Sequence, residues 1–354
     1  MNQQRWRRII PVALIMYTIS YVDRTNVALA FDPKLSTAMA DLGMDDKIAS
    51  NAIGIFFWGY LLLQIPGGYL ASHWSARKVV SLFLVAWGVC AVGCGLVQTA
   101  SQFRVMRFLL GVAESGVFPA TLVLMTHWFP RAERARANAY WILCQPLSVA
   151  FAAPITAQLL QHWNWRVALV AEGALPFIWL PIWWHFISDQ PREAKWISAE
   201  ERAYLETTLE REAGDIEPAK EVPLWKALVQ PAVFVMIPIY FLQNCAAYGC
   251  NTYLSSALKS PGLSFTRFET GILYAIPYLV AAVFMVLNSR HSDKTQERRG
   301  HVALVYFISG FCLIGSVLAA RYSFWLSFGF LCFAIQGPFA SLAPFWAIPA
   351  ETLP

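Results

Sequence analysis

Tyr21-Val22-Asp23-Arg24-Thr25-Asn26 lies inside the first long apolar segment of the chain, and Arg107-Phe108-Leu109-Leu110-Gly111-Val112-Ala113-Glu114 lies inside the fourth. Each charge left at mid-membrane costs roughly 2.5 to 3.5 kcal/mol on insertion scales, so four of them imply a polar interior path rather than lipid-facing positions. Ile9 to Val22 alone is too short to span a hydrocarbon core of about 30 Å, so Asp23 and Arg24 cannot mark a membrane edge. A signal peptide is the alternative reading of Arg5 to Ser20, but no small-residue cleavage site follows and the apolar character resumes at Val27 to Phe31.

The rest of the chain agrees with a membrane solvent. Of 354 residues 57% are hydrophobic and only 14% charged, with mean hydropathy +0.46, which makes a water-soluble globule improbable. Apolar runs predict ten spans, near 9–31, 51–71, 79–99, 104–129, 138–160, 167–187, 232–256, 269–288, 302–320 and 324–349. With the N-terminus cytoplasmic, 18 Lys and Arg fall on that side, among them Arg5, Arg7, Arg8, Arg131, Arg134 and Arg136, against 7 on the other. That asymmetry predicts a cytoplasmic N-terminus, and it makes the net charge of +5 a topology signal rather than a nucleic-acid footprint; the expected location is the bacterial inner membrane, as a multi-pass protein.

Several chemistries are not signalled. The seven cysteines sit in apolar runs without a C-x-x-C, the six histidines are scattered, and neither a phosphate-binding loop nor a dinucleotide fingerprint occurs. The expectation is a monomeric non-enzyme without cofactor or metal, with membrane lipid as its surroundings. Any transport draws on an ion gradient or runs downhill.

The chain divides into an expected six-helix bundle at 1–187, a polar cytoplasmic linker loop at 188–230, and a C-terminal bundle at 231–354 with four helices. Ser72-His73-Trp74-Ser75-Ala76-Arg77-Lys78, between spans two and three, aligns without gaps to Asp293-Lys294-Thr295-Gln296-Glu297-Arg298-Arg299, between spans eight and nine. Two related halves follow from that faint repeat.

Pro66-Gly67-Gly68-Tyr69-Leu70-Ala71 followed by Arg77-Lys78 resembles the loop signature of the major facilitator superfamily. The first-helix stretch, the run from Arg107 to Pro119 continuing to Arg136, and Trp346-Ala347-Ile348-Pro349 are similar to its anion:cation symporter family. The resemblance implies an all-α membrane fold of two six-helix bundles around a cavity. Two departures stand out: Ser72 and His73 replace the usual acidic residue and arginine of the loop signature, and ten spans stand where the pattern has twelve. The expectation is an incomplete sequence or a natural truncation.

Helix geometry groups the charges. At about 1.5 Å per residue, Asp23 lies about 21 Å, Arg107 about 24 Å and Glu114 about 14 Å from the cytoplasmic face. Arg107, Gly111, Glu114 and Phe118 share one helical stripe, and Tyr17, Tyr21 and Arg24 another. Arginine stays charged and presents a planar fork to carboxylates, so Arg24 and Arg107 are candidates to hold an organic anion. Asp23 and Glu114 can exchange protons as the cavity opens. By resemblance to the family's sugar-acid transporters, that pair couples to protons and Gln145 meets substrate hydroxyls. Tyr21, Tyr60, Asn244, Asn251 and Trp346 complete the candidate binding residues.

The same charges could serve only as interhelical salt bridges, Gln145 and Tyr60 only as glue between helices, and Trp346 only as packing. The reading is therefore a proton-coupled symporter for a sugar acid, a tartrate-like hydroxy acid or an aromatic acid. The alternative is an inactive truncated transporter or a transporter-like sensor.

Overall fold

The computed structural model describes residues 3–33, 35–214, 231–258 and 265–352. Ten long helices follow one another: α1 (Gln4–Ala30), α2 (Asp46–His73), α3 (Ala76–Leu96), α4 (Ala100–Trp128), α5 (Arg131–His162), α6 (Trp165–Phe186), then α8 (Pro231–Leu258), α9 (Arg267–Thr295), α10 (Arg299–Ala319) and α11 (Phe324–Ile348), with a polar helix, α7 (Ala199–Gly214), between α6 and α8. Among the described residues there is no strand, and nine helices are long and apolar enough to cross a membrane. The tenth, α1, has 27 residues, about 40 Å at 1.5 Å each, but its arginines, Asp23 and Asn26 dilute its apolar character. All ten expected spans coincide with helices.

The chain forms two compact units. One holds Met1–Cys144 and Phe151–Glu212, the other Gln145–Ala150 and Ala213–Pro354. The linker expected as loop at 188–230 instead carries α7 at Ala199–Gly214, and its remainder, 215–230, lies outside the described residues. A helix forms there because buried Arg5 on α1 is bracketed by two carboxylates, Glu201 of α7 at 2.5 Å and Glu133 of α5 at 2.6 Å. Glu212 at the far end of α7 accepts the Arg131 backbone N–H at 2.9 Å. Charged residues that read as a solvated loop thus tie α7 to the first bundle.

Prolines set the bends. Turns at Leu63, Gly116, Leu143 and Ser341 each precede a proline by three residues, namely Pro66, Pro119, Pro146 and Pro344. A proline lacks the N–H that would pair with the carbonyl four residues back, and in lipid that carbonyl needs another donor. In the second unit neighbouring helices supply it. Asn288 Nδ2 donates to the Ala340 carbonyl, which Pro344 leaves open, at 2.9 Å, and Ser309 Oγ donates to the Ala334 carbonyl, left open by Pro338. Gln243 of α8 adds a donor at the break itself: its side-chain Nε2 donates to the Pro338 carbonyl at 3.0 Å.

The first unit is drawn together by small residues. On α2 and α4, Gly59 and Gly111 face the opposite backbone so closely that an ideal Cβ on Gly59 would meet the Phe108 carbonyl oxygen, and one on Gly111 the Phe56 carbonyl oxygen, well inside van der Waals contact. Small residues permit such approach between membrane helices, and this one fixes the height of α4 against α2. Arg107 and Glu114 flank Gly111 within one turn, so that contact also places the two charges.

Candidate functional site

On α1, Tyr17, Ser20, Asp23 and Asn26 recur every three residues and are all buried, at 1%, 0%, 4% and 0% exposure. A polar stripe of that kind on a membrane helix needs partners from its neighbours. On α4, Arg107 and Glu114 are equally buried. The two helices join crosswise. Arg24 Nη2 reaches Glu114 Oε2 at 3.1 Å, and Ser20 Oγ donates to the same oxygen at 3.2 Å. Arg107 Nη1 donates to the Asp23 backbone carbonyl at 3.1 Å.

The Asp23 carboxylate is held differently. Trp87 Nε1 of α3 donates to Oδ2 at 2.5 Å, and Asn26 Nδ2 lies 3.4 Å from Oδ1. Among the described residues no arginine nitrogen comes within ion-pair distance of it, so the cluster contains one ion pair, not two.

Aromatic rings sandwich the guanidinium groups. Arg24 lies over Tyr21 at 4.4 Å, Tyr60 at 4.6 Å and Phe56 at 5.3 Å, while Arg107 lies over Phe56 at 4.8 Å. Cation–π contact of this sort contributes about 2 kcal/mol or more when desolvated. The two tyrosine hydroxyls of Tyr17 and Tyr60 stand 3.2 Å apart, and Trp141 of α5 packs edge-on to Tyr17 at 5.0 Å.

Hydrogen-bonding capacity is left over. Arg24 Nε, Arg107 Nε and Glu114 Oε1 are buried without a partner. A buried donor or acceptor left unmade costs about 1 to 3 kcal/mol, more for charged groups. The Arg24 side chain is 11% exposed while that of Glu114 is 0% exposed, so Arg24 is the member of the pair that an entering anion would meet.

The structure thus brings together Tyr21, Asp23, Arg24, Tyr60, Arg107 and Glu114. Gln145, Asn244, Asn251 and Trp346 belong to the second unit. There Asn251 Oδ1 accepts from Tyr274 at 2.7 Å and Tyr278 at 2.6 Å, Asn244 Nδ2 bonds back to the Tyr240 carbonyl at 2.8 Å, and Trp346 packs edge-on to Tyr240 at 5.3 Å. Gln145 is half-buried, and its carbonyl accepts from Ser148 Oγ at 2.8 Å. Sequence reasoning missed Ser20, Asn26, Phe56 and Trp87. The first two carry a signal, the three-residue polar period through Tyr17 and Asp23; an apolar phenylalanine and a tryptophan carry none.

Membrane-length helices enclosing a buried ion cluster define a membrane transporter rather than an enzyme. Residues 13–354 match the family model of the Major Facilitator Superfamily, and the chain belongs to that family. It is 30% identical over 358 residues to a putative tartrate transporter of Agrobacterium vitis, covering 98% of this chain and 76% of the relative. It is also 30% identical over 364 residues to a quinolone resistance transporter of Acinetobacter baumannii, covering 98% and 80%. Its fold is similar to that of the proton:xylose symporter XylE bound to 6-bromo-6-deoxy-D-glucose, with a TM-score of 0.76 at 14% identity, over 100% of this chain and 83% of that one.

Proposed function

We propose that the protein is a proton-coupled symporter for a small organic carboxylate. The observation that carries this reading is the buried Arg24–Glu114 pair at 3.1 Å. A proton arriving at Glu114 removes the charge that holds Arg24, and the freed guanidinium then takes a substrate carboxylate in its place. Charge in the site is the same before and after: one anion enters with one proton. Arg107, anchored on the Asp23 carbonyl, is the second cation toward the substrate, and Asp23 is the second proton acceptor. Tyr21 and Tyr60 line Arg24 and supply flat walls. Gln145, Asn244, Asn251 and Trp346 are kept as proposed substrate-binding residues on their polar or aromatic chemistry alone, for the hydroxylated or aromatic part of the substrate.

The relatives support an anionic substrate. One of them is named as a putative tartrate transporter. The Lys and Arg asymmetry supports a cytoplasmic N-terminus in the inner membrane. We propose a monomer of two bundles, 1–187 and 231–354, bathed in lipid and joined through 188–230.

The test is uptake of radiolabelled tartrate, with labelled aldonates and aromatic carboxylates alongside, into vesicles carrying the protein. Uptake of one of them should collapse with a protonophore. Glu114→Gln should abolish net proton-driven uptake while leaving exchange of substrate for substrate. Uptake indifferent to the protonophore and to Glu114→Gln would overturn the coupling. The quinolone resistance relative favours a second reading, outward transport of an aromatic drug, and protonophore-sensitive loss of a preloaded quinolone with no carboxylate uptake would select it.

A further inference from the structure

One cavity plays no part in the mechanism above. It is a groove of about 810 Å³ in the first unit, between the start of α3 and the end of α6, two helices that run in opposite directions. Its lining changes along its length. Arg77 of α3 stands at the mouth with Trp184 and His185 of α6, while Leu82, Val85 and Leu180 line the part further in. At 1.5 Å per residue Val85 lies about 12 Å from Arg77 along α3. Three residues beyond it the Phe177 ring packs so tightly on Gly88 that a Cβ there would sit 2.8 Å away, which closes the far end. Leu82 and Val85 are 57% and 40% exposed, so the apolar part opens onto hydrocarbon, whereas the mouth lies where α6 gives way to the polar residues Ser188, Asp189 and Gln190.

The mouth is arranged for an anion. The Arg77 guanidinium lies on the Trp184 ring at 4.1 Å, and its Nη2 donates to the Trp184 carbonyl. Those contacts fix the plane of the fork, yet Arg77 Nε is buried without an acceptor. A second arginine, Arg8 of α1, lies over Phe186 at the same helix end at 4.6 Å, and its Nε is also buried without an acceptor. Among the described residues neither guanidinium has a carboxylate within ion-pair distance. Asp189 accepts from Ser75 Oγ with one oxygen and from the Arg77 backbone N–H with the other. A cap on the last carbonyls of α6 accounts for the Trp184 contact, but not for the groove that continues from it into the apolar layer. A planar guanidinium fork matches phosphate, tryptophan is at home at the membrane interface, and cations gathered at a membrane surface attract anionic lipid.

We propose that this groove binds one anionic phospholipid from the leaflet on the side of the N-terminus, its phosphate on Arg77 with His185 beside it, and one acyl chain along Leu82, Val85 and Leu180. Inorganic phosphate offers the same charge but nothing to set against the apolar wall, so the occupant is a lipid rather than a free anion. Neither the transported substrate nor its coupling enters into this assignment.

Native mass spectrometry of the full protein, released from detergent micelles doped with phosphatidylglycerol or with phosphatidylcholine, counts the lipids that stay bound. Wild type should retain phosphatidylglycerol under activation that strips phosphatidylcholine. Arg77→Gln, which can still donate to the Trp184 carbonyl, should lower the retained fraction about fivefold, the factor that one arginine near an anionic lipid surface is worth. Leu82→Trp, at an exposed position where the change leaves the core alone, should lower it too by filling the acyl half of the groove. Excess inorganic phosphate should leave the lipid in place. Equal retention of the two lipids by wild type, a comparison that needs no variant to fold, overturns the proposal, as does retention unchanged in Arg77→Gln. Retention unchanged in Leu82→Trp, or a lipid displaced by phosphate, would make this a site for a bare anion and overturn it as well.

Discussion

Alanine in place of Gly111 puts a methyl carbon more than 1 Å inside van der Waals contact with the Phe56 carbonyl oxygen and 3.0 Å from the Tyr60 nitrogen. Both obstacles are helix backbone, so the strain cannot be relieved by a side-chain rotamer, and α2 and α4 must separate by about an ångström. Overpacking of this kind costs about 1 to 3 kcal/mol, against a gain of up to about 1 kcal/mol from helix propensity. The separation also draws Glu114, three residues on, away from Arg24, where 3.1 Å leaves little room for lengthening. Gly54 on the same α2 is the control, because a Cβ there meets nothing within 4 Å. Thermal unfolding of the purified protein should show Gly54→Ala at or slightly above wild type and Gly111→Ala several degrees below it, with substrate transport falling at least tenfold in Gly111→Ala alone. Equal melting temperatures and equal transport for the two variants would refute the argument that backbone contact between α2 and α4 sets the site.

Arg24→Lys keeps the charge but gives up the planar stack on Tyr21 and Tyr60, and substrate affinity in the uptake assay should fall about tenfold, or about 1.4 kcal/mol. Arg5→Met leaves buried Glu201 uncompensated and should cost about 3 to 5 kcal/mol of stability, measured by thermal melting, whereas the double variant Arg5→Met with Glu201→Met should recover much of the loss. Asp41, outside the spans, accepts from Trp165 Nε1 at 2.8 Å and Thr37 Oγ1 at 3.0 Å, which hold its carboxyl below the ordinary aspartate value. A depressed folded value means stability that is present above the ordinary aspartate range and lost as pH falls through the lowered one. Acid titration by tryptophan fluorescence should therefore show a small loss of order in that window that Asp41→Asn lacks.

The ten helices were legible because apolar length is a direct demand of the bilayer, and the four interior charges because each violates that demand. Their pairing was not legible. Helical spacing places Asp23 and Arg24 side by side but does not say that Arg24 turns to Glu114 while the Asp23 carboxylate turns to Trp87. That choice is made by a third helix, and nothing in the sequence around Trp87 distinguishes it from the other tryptophans. Glu172 of α6 escaped notice for a related reason: it lies in the same apolar run as Arg166, near its start, where a charge reads as a membrane-edge residue, yet it is 4% exposed and accepts from Thr156 Oγ1. The polar stretch before residue 214 reads as linker because the partners that order it, Arg5 and Arg131, lie far away in sequence.

The bends of α11 have a consequence for how this protein tolerates change. Three helices each contribute one side chain, Gln243, Asn288 and Ser309, to carbonyls along its stretch from Ala334 to Ala340. The prolines of α11 open its carbonyls but its neighbours close them, so losing any one of these side chains would be felt as a reshaped helix up to 95 residues away in the chain. Polar positions in α8, α9 and α10 that look like free surface to sequence drift are in effect the moulds against which a neighbouring helix is cast.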